Sequence, residues 1–100
     1  MSKLAVHLVA WNGAKYVPYL FDSLRKQTFR DWHLLIVDNN SSDGTAELIK
    51  KELSNFFVQH RLIENKDNKG FAGGHNQAFK ESDAEYILLL NQDMYLAPDC

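Results

Sequence analysis

The amino-acid sequence predicts an α/β domain built on a doubly wound, mostly parallel sheet with helices on both faces. The first observation is that short apolar runs end at polar turn residues, as strands buried on both faces do. The second is that these runs alternate with segments whose apolar residues recur every three or four positions, which is typical of helices. The resulting order, three strand–helix pairs and a final strand, favours parallel strands joined by right-handed crossovers. A chain of 100 residues holds one domain at most.

The first strand is predicted at residues 4–9, which are apolar except for His7. We interpret His7 as a core or edge histidine, because the interior of a strand is far from the sites of α/β proteins. The run ends at residues 10–13, Ala-Trp-Asn-Gly, where Asn and Gly mark a turn. A helix is predicted next, at residues 16–27. Its apolar face consists of Val17, Leu20 and Leu24.

The second strand is predicted at residues 32–38, and it ends in a run of polar turn residues, 38–44. The helix after this run has one apolar face, and we expect Ser42 or Asp43 to cap its first turn. The apolar face consists of Ala46, Ile49 and Leu53.

The third strand is predicted at residues 57–63, where polar interruptions indicate an edge strand. A loop at 64–70 and a helix at 71–82 follow. Three glycines stand near the start of this helix, although glycine is a poor helix former. Either small residues there let a ligand approach the positive N–H end of the helix, or they supply the positive φ angles of a loop.

The last strand is predicted at residues 86–90, an aromatic and four aliphatics that read as a strand buried on both faces. It ends at Asn91, Gln92 and Asp93. A carboxylate at such an end can hold a hard divalent cation, and the cation can hold a phosphate. The alternative is an aspartate that only caps a turn.

Polar or flat side chains follow three of the predicted strands. If the sheet is parallel, these strand ends lie on one rim together with the glycine-rich helix start. The rim then combines an aromatic plate, an acceptor for a base N–H, a positive helix end and a carboxylate for a metal ion. The combination predicts a nucleoside diphosphate site.

Composition excludes several other classes of protein. The net charge of −2 argues against non-specific binding to nucleic acid. No apolar run reaches the length of a membrane-spanning helix, and the first residues do not resemble a signal peptide. Cys100 is the single cysteine, so no internal disulfide forms and a cytoplasmic location is expected. The chain ends as a new segment opens, from which we expect a fragment of a longer, truncated domain.

Five blocks of the sequence stand out: residues 9–12 (Val-Ala-Trp-Asn), 27–29 (Gln-Thr-Phe), 37–45 (Val-Asp-Asn-Asn-Ser-Ser-Asp-Gly-Thr), 68–76 (Asn-Lys-Gly-Phe-Ala-Gly-Gly-His-Asn) and 90–93 (Leu-Asn-Gln-Asp). In this order, they resemble the donor-binding half of a family 2 glycosyltransferase with the GT-A fold. The third block is the most specific, and the fourth looks most like the rhamnosyltransferase-type branch. The resemblance implies that residues 1–100 are the nucleotide-sugar-binding part of a GT-A domain.

The resemblance implies a role at each matching position. Trp11 would flank the pyrimidine, and Asp38 would accept the base N3–H. Asp93 would ligate Mg²⁺ or Mn²⁺ on the diphosphate, and Asn91 would touch the ribose or the water shell of the metal. The other residues assigned to nucleotide binding are Asn12, Asn40, Gly73, Gly74 and Asn76.

Two positions depart from the family pattern. Ala10 replaces a hydroxyl residue that the family often has before the aromatic, so we expect one base contact to be missing. Asn91 replaces the first aspartate of the Asp-x-Asp motif, and an amide binds a divalent cation less strongly than a carboxylate. The affinity for metal therefore rests more on Asp93.

The reaction that the resemblance implies is transfer of a sugar from a UDP- or dTDP-linked donor to an acceptor hydroxyl, with inversion. The acceptor would be a glycan or a lipid-linked molecule in polysaccharide biosynthesis. The general base would lie beyond residue 100, so we expect the chain to be inactive alone and to self-associate through uncovered apolar surface. Whether the full-length protein also associates with a membrane is left open by the sequence. The alternatives are a non-catalytic nucleotide-binding module and a receiver-type regulatory module.

Overall fold

The computed structural model describes residues 4–28, 30–68, 70–81 and 85–90. Four strands and three helices alternate in the predicted order. They are β1 (Leu4–Ala10), α1 (Val17–Arg25), β2 (Trp32–Asp38), α2 (Thr45–Leu53), β3 (His60–Glu64), α3 (Gly70–Glu81) and β4 (Tyr86–Leu90).

The sheet has the strand order β3-β2-β1-β4, and every neighbouring pair is parallel. The chain moves outward from β1 to β2 and β3, and then returns to place β4 on the other side of β1. The direction of winding therefore reverses between β1 and β4. In open α/β sheets, ligands bind beyond the carboxyl ends of the strands at such a reversal. This topology confirms the predicted doubly wound fold.

Alternate residues of a strand point to opposite faces of the sheet, so apolar strands give the sheet two apolar faces. Helices cover both of these faces. The core under α1 and α2 includes the fully buried Phe21, Ile36 and Ile49. The opposite face, against which α3 packs, buries Val9 and Val37. His7 is also fully buried, as expected for a core histidine. The described helices are each too short or too polar to cross a lipid bilayer.

The third strand begins at His60, three residues later than predicted. The chain joins the sheet at Gln59, whose carbonyl accepts the N–H of Leu34 at 2.9 Å. Of the apolar residues before it, Val58 is buried in the core, whereas Phe57 is 37% exposed and packs edge-on against the ring of Trp32. The buried Phe56 packs edge-on against the same ring. The predicted edge position of this strand is confirmed, because β3 ends the described sheet.

The prediction that the last strand is buried on both faces is wrong for the described residues. Tyr86, Leu88 and Leu89 are 64%, 41% and 52% exposed, and only Leu90 of this strand is fully buried. The reason is that β4 pairs with β1 at the second edge of the described sheet. A run of aliphatics indicates what a strand is able to bury, and its neighbours decide how much is covered.

Helix boundaries differ slightly from those predicted. Helix α1 is preceded by Tyr16 and ends at Arg25, where Gln27 N–H bonds to the carbonyl of Leu24 in a tighter turn. Gly44 occupies the position immediately before α2, with a φ of 88°. Asp43, one of the two residues predicted to cap the first turn, accepts the N–H of Thr45 at 3.1 Å.

Candidate functional site

The carboxyl ends of the first three strands lie level at one rim of the sheet. Ala10 pairs with Asp38, and Asp38 pairs with Glu64. Backbone hydrogen bonds continue past the strands, from Asn39 N–H to the carbonyl of Ala10 and from Asn65 N–H to the carbonyl of Asp38, both at 2.8 Å. The strand ends of β1 and β2 therefore meet as predicted, and their following loops begin side by side.

The loops after β1 and β2 are joined through Asn12. Its N–H donates a hydrogen bond of 2.9 Å to Oγ of Ser41, and its side-chain oxygen accepts the N–H of Ser42 at 2.8 Å. Asn12 and Asn40 have φ angles of 47° and 64°, in the left-handed region that asparagine tolerates better than most residues. The side-chain oxygen of Asn12 is thus used within the protein, whereas Asn40 is exposed.

A second pair of contacts fixes the start of α2 to the same loop. The N–H of Gly13 donates to Oγ1 of Thr45 at 2.9 Å, and the N–H of Ala14 donates to Oδ2 of Asp43 at 3.2 Å. The other oxygen of Asp43 accepts both the hydroxyl and the N–H of Thr45. Burial alone would raise the pKa of Asp43, but these hydrogen bonds outweigh it and lower the pKa below its ordinary value.

Asp38 is a buried carboxylate at the carboxyl end of an interior strand, with only 3% of its surface exposed. Its Oδ1 accepts the hydroxyl of Ser41 at 2.6 Å, and its Oδ2 accepts the N–H of Ser41 at 3.2 Å. A carboxylate has about four acceptor positions, so these two bonds leave capacity for a further donor. The carboxylate is therefore held in one orientation and can still accept a hydrogen bond.

Trp11 lies at the same rim, one residue after the Ala10 that pairs with Asp38. Its side chain is 50% exposed, in contrast to the second tryptophan, Trp32, which is 5% exposed. An exposed aromatic ring at a strand end offers a flat surface to a planar ligand.

The glycines at the start of α3 have at least two different explanations. Gly70 has a φ of 76°, so it supplies the positive φ angle that the sequence left open. Gly74 packs against the sheet, where an added Cβ would lie 2.7 Å from Cγ1 of Val9 and 3.1 Å from Nδ2 of Asn39. This packing accounts for Gly74 without a ligand. Contacts of Gly73, Gly74 and the exposed Asn76 with a donor stay predictions.

Asn91 and Asp93, assigned to ribose and metal binding, lie outside the described residues. Within the described ranges, no group of three or more His, Cys, Asp or Glu side chains is arranged to hold a metal ion. A shallow groove of about 320 Å³ lies between α2 and β3, lined by residues that include Lys50, His60 and Arg61. It contains none of the predicted site residues.

The sequence places Asn39 at the rim, after Asp38, and the structure confirms that position. Sequence reasoning missed three other residues that organise the rim: Ser41, Asn65 and Gln77. Ser41 stands within the specific block 37–45, which is the signal that could have found it. Asn65 follows Glu64, which pairs with Asp38, so a known register would have placed it at the rim. Gln77 carries no sequence signal, since it is one polar residue of an amphipathic helix.

Comparison with known proteins identifies the family to which the chain belongs. The family model described as "Glycosyl transferase family 2" matches residues 5–100. The chain belongs to glycosyl transferase family 2. It is 28% identical over 97 residues to the teichoic acid poly(glycerol phosphate) polymerase of Staphylococcus epidermidis, a match that covers 97% of this chain and 14% of that protein.

Solved structures of glycosyltransferases share the GT-A fold with the chain. Residues 1–349 of S. aureus TarS in complex with UDP superpose with a TM-score of 0.86 at 27% identity, over 97% of this chain and 29% of that one. The mannosyltransferase PcManGT of Pyrobaculum calidifontis, in complex with GDP-Man and Mn²⁺, gives a TM-score of 0.86 at 20% identity, over 92% of this chain and 28% of that one. The latter supports the fold alone. The chain spans 14–31% of the length of the first three curated relatives it matches.

Proposed function

We propose that this chain binds the nucleotide of a UDP- or dTDP-linked sugar at the carboxyl rim of β1 and β2, in a protein that transfers the sugar to an acceptor hydroxyl. The observation that carries the proposal is Asp38, a buried and oriented carboxylate that ends an interior strand with acceptor capacity left. Membership of the family and the UDP held by TarS in its solved structure support it.

The chemistry of a pyrimidine fits the groups at this rim. Uracil and thymine both carry an N3–H donor between two carbonyl groups, and a fixed carboxylate oxygen is a strong acceptor for that donor. The exposed ring of Trp11 flanks the flat face of the base. Asn12 and Asn40 shape the loops around it, and the exposed side chain of Asn40 is able to reach a ligand.

The start of α3 lies at the same end of the sheet, because Asn39 holds the carbonyl of Gly70 at 3.0 Å. The N-terminal end of a helix has a partial positive charge, which favours the phosphates of a bound nucleotide. We assign Gly73, Gly74 and Asn76 to the side of the donor that carries phosphates and sugar. The leaving diphosphate gains negative charge during transfer, and the positive end of α3 stabilises that charge.

We also assign Mg²⁺ or Mn²⁺ to Asp93, with Asn91 near the ribose or the water shell of the metal. When bound, the ion neutralises charge on the diphosphate. The assignment rests on the Asn91-Gln92-Asp93 sequence, which follows β4 along the chain.

The rest of the reaction is proposed for the whole protein. Transfer proceeds with inversion, and a general base beyond residue 100 deprotonates the acceptor, a glycan or lipid-linked molecule in polysaccharide biosynthesis. The donor chemistry is of the rhamnosyltransferase-like type. The protein is cytoplasmic, and its full-length form associates with the membrane that carries the acceptor. Residues 1–100 alone do not transfer sugar.

Calorimetric titration of the intact protein with UDP and dTDP, with and without Mn²⁺, tests the proposal. Asp38→Asn should weaken binding of the preferred nucleotide by about 10- to 100-fold, because a hydrogen bond to a charged group contributes roughly 1.5–3 kcal/mol. Asp93→Ala should remove the dependence on Mn²⁺. Asp31→Asn is the control, since Asp31 is exposed in the loop before β2. Absence of binding to either nucleotide would overturn the proposal.

We further propose that the isolated chain self-associates through β4, where Leu88 and Leu89 are exposed. Sedimentation velocity of Leu89→Lys should show less association than the wild type. Tyr19→Lys is the matched control, because Tyr19 is an exposed apolar residue on α1 rather than on β4. A wild-type chain that stays monomeric at high concentration would contradict this.

A further inference from the structure

A set of amide side chains joins the ends of β2 and β3 to α3. Asn65 donates hydrogen bonds of 2.8 Å from Nδ2 to Oδ1 of Asn39 and to Oε1 of Gln77. Gln77 returns a bond of 2.9 Å from Nε2 to Oδ1 of Asn65. Asn39, which is 1% exposed, donates from Nδ2 to the carbonyl of Gly70 at 3.0 Å. Both Nδ2 protons of Asn65 are used, so the set of bonds defines the orientation of each amide.

These contacts attach α3 to the rim along one side of the helix. Gly70, Gly74 and Gln77 are spaced by four and three residues, so they lie on one face. Gly70 is held by Asn39, Gly74 packs against Val9, and Gln77 is held by Asn65. The glycine-containing start of α3 is therefore fixed to the sheet at its first residue and again two turns later.

Asn65 also contacts the end of β2 that carries Asp38. Its backbone N–H donates to the carbonyl of Asp38 at 2.8 Å, while its side chain holds Gln77. One residue thus spans the distance between the carboxylate proposed to read the base and the helix proposed to face the phosphates. Secondary structure alone does not demand this arrangement, because both bonds of the Asn65–Gln77 pair are between side chains.

We propose that Asn65 and Gln77 are positioning residues, which hold the start of α3 at the right distance from Asp38 for a nucleoside diphosphate. The inference rests on the proposed function. A nucleoside contacts only the Asp38 end of the site, whereas a nucleoside diphosphate must contact both ends. If α3 is loosened, a ligand that contacts the helix start must order it on binding, which has an entropic cost. Only the diphosphate reaches the helix start, so its binding weakens while binding of the nucleoside stays nearly unchanged.

The test compares UDP with uridine, and dTDP with thymidine, by calorimetry on the intact protein. The variants are Asn65→Ala, Gln77→Ala and the double variant. Asn55→Ala and Gln59→Ala are matched controls, because both amides are exposed in the segment between α2 and β3. Gln77→Ala removes the two bonds of the Asn65–Gln77 pair, and Asn65→Ala removes these and the bond to Asn39. Each single variant should raise the Kd for the diphosphate by roughly fivefold to tenfold, because each lost hydrogen bond contributes a modest net free energy. Circular dichroism melts establish that the protein stays folded at the titration temperature.

The double variant identifies whether the two residues act as a unit. If they do, it should weaken diphosphate binding no more than Asn65→Ala alone, because Asn65→Ala already removes both bonds of the Asn65–Gln77 pair. Equal losses for nucleoside and diphosphate, or lowered melting temperatures with unchanged affinities, would show a purely structural role and overturn the inference. If the wild-type protein binds neither UDP nor dTDP, the proposed function itself fails. If the wild-type protein binds UDP or dTDP and the variants bind it with the same affinity, this inference fails and the proposed function stands.

Discussion

The hydroxyl of Ser41 donates a hydrogen bond of 2.6 Å to Oδ1 of Asp38. Oγ of Ser41 also accepts the N–H of Asn12 at 2.9 Å, so the hydroxyl links the loop after β1 to the carboxylate at the end of β2. Because a hydroxyl has one proton and the carboxylate has none, the direction of this bond is fixed. Ser41 therefore determines both the orientation of Asp38 and the path of the loop that begins with Trp11.

Replacing Ser41 with alanine should weaken both binding and stability. The variant keeps the N–H of residue 41 on Asp38 but removes the hydroxyl bond, and it leaves the Asn12 N–H without its acceptor. We expect a loss of about 1–2 kcal/mol in the free energy of unfolding, measured by urea titration, and a higher Kd for UDP.

Ser42→Ala is the control for this experiment. The hydroxyl of Ser42 is exposed and lies 3.4 Å from Oδ1 of Asn12, which is near the limit of a hydrogen bond. A stability loss for Ser42→Ala equal to that of Ser41→Ala would show that the loop as a whole, rather than the Asp38 contact, carries the effect.

Much of the fold could be predicted because its signals repeat along the chain. The apolar run of residues 32–38 predicts β2 to the residue, and the polar residues after it predict the rim. The exposure of β4 could not be predicted, because burial depends on which elements lie beside a strand. The bonds of Asn65 to Asn39 and Gln77 join positions 26 and 12 residues apart, and polar pairs at such separations follow no period.

Gly74→Ala should destabilise the protein by about 1–3 kcal/mol, the usual cost of overpacking a core. The added Cβ would lie 2.7 Å and 2.9 Å from the two γ carbons of Val9, a β-branched side chain with little freedom to rotate away. Thermal unfolding of the variant measures the effect.

A second substitution distinguishes this clash from the ordinary benefit of alanine in a helix. In a Val9→Ala background the γ carbons are absent, so Gly74→Ala should cost much less. If the cost is the same in both backgrounds, the close approach of α3 to β1 is not the reason for the glycine.

The free energy of unfolding should fall as the pH is lowered, because of two buried histidines, His7 on β1 and His75 on α3. His7 is fully buried, and its ring nitrogens have no hydrogen-bond partner among the described residues. Burial, with the nearby His75 and His33, lowers the pKa of His7 below its ordinary value of 6.5, and burial lowers the pKa of His75 likewise. The unfolded chain therefore binds more protons than the folded chain below that value. This contribution to stability is complete above pH 6.5 and is lost as the pH falls toward the lowered pKa values.

Urea unfolding at a series of pH values between 8 and about 5 measures this dependence. His7→Val should flatten the curve, because the buried group no longer takes up a proton on unfolding. His60→Gln is the control, since His60 is exposed on β3. A His7→Val protein with the wild-type pH dependence would show that other groups are responsible.

Fluorescence should report whether Trp11 stacks on the base, since the chain has two tryptophans in different surroundings. Trp11 is half exposed at the rim, and Trp32 is buried beside Phe56 and Phe57. Binding of UDP or dTDP should quench the emission of Trp11 and leave that of Trp32 nearly unchanged. Trp11→Phe should therefore abolish the quench while keeping a ring for the base, and Trp32→Phe should retain it.

Affinity separates stacking from mere proximity of the ring. Trp11→Ala should weaken nucleotide binding by about 1–3 kcal/mol, the range found when an aromatic platform for a base is removed, whereas Trp11→Phe should lose less. Tyr19→Ala is a matched exposed aromatic on α1 and should change neither quench nor affinity. If Trp11→Ala binds as tightly as the wild type, the indole covers the loop rather than the pyrimidine. Recognition of the base would then rest on Asp38, and of these two residues only Asp38 would lower the affinity for the nucleotide when substituted.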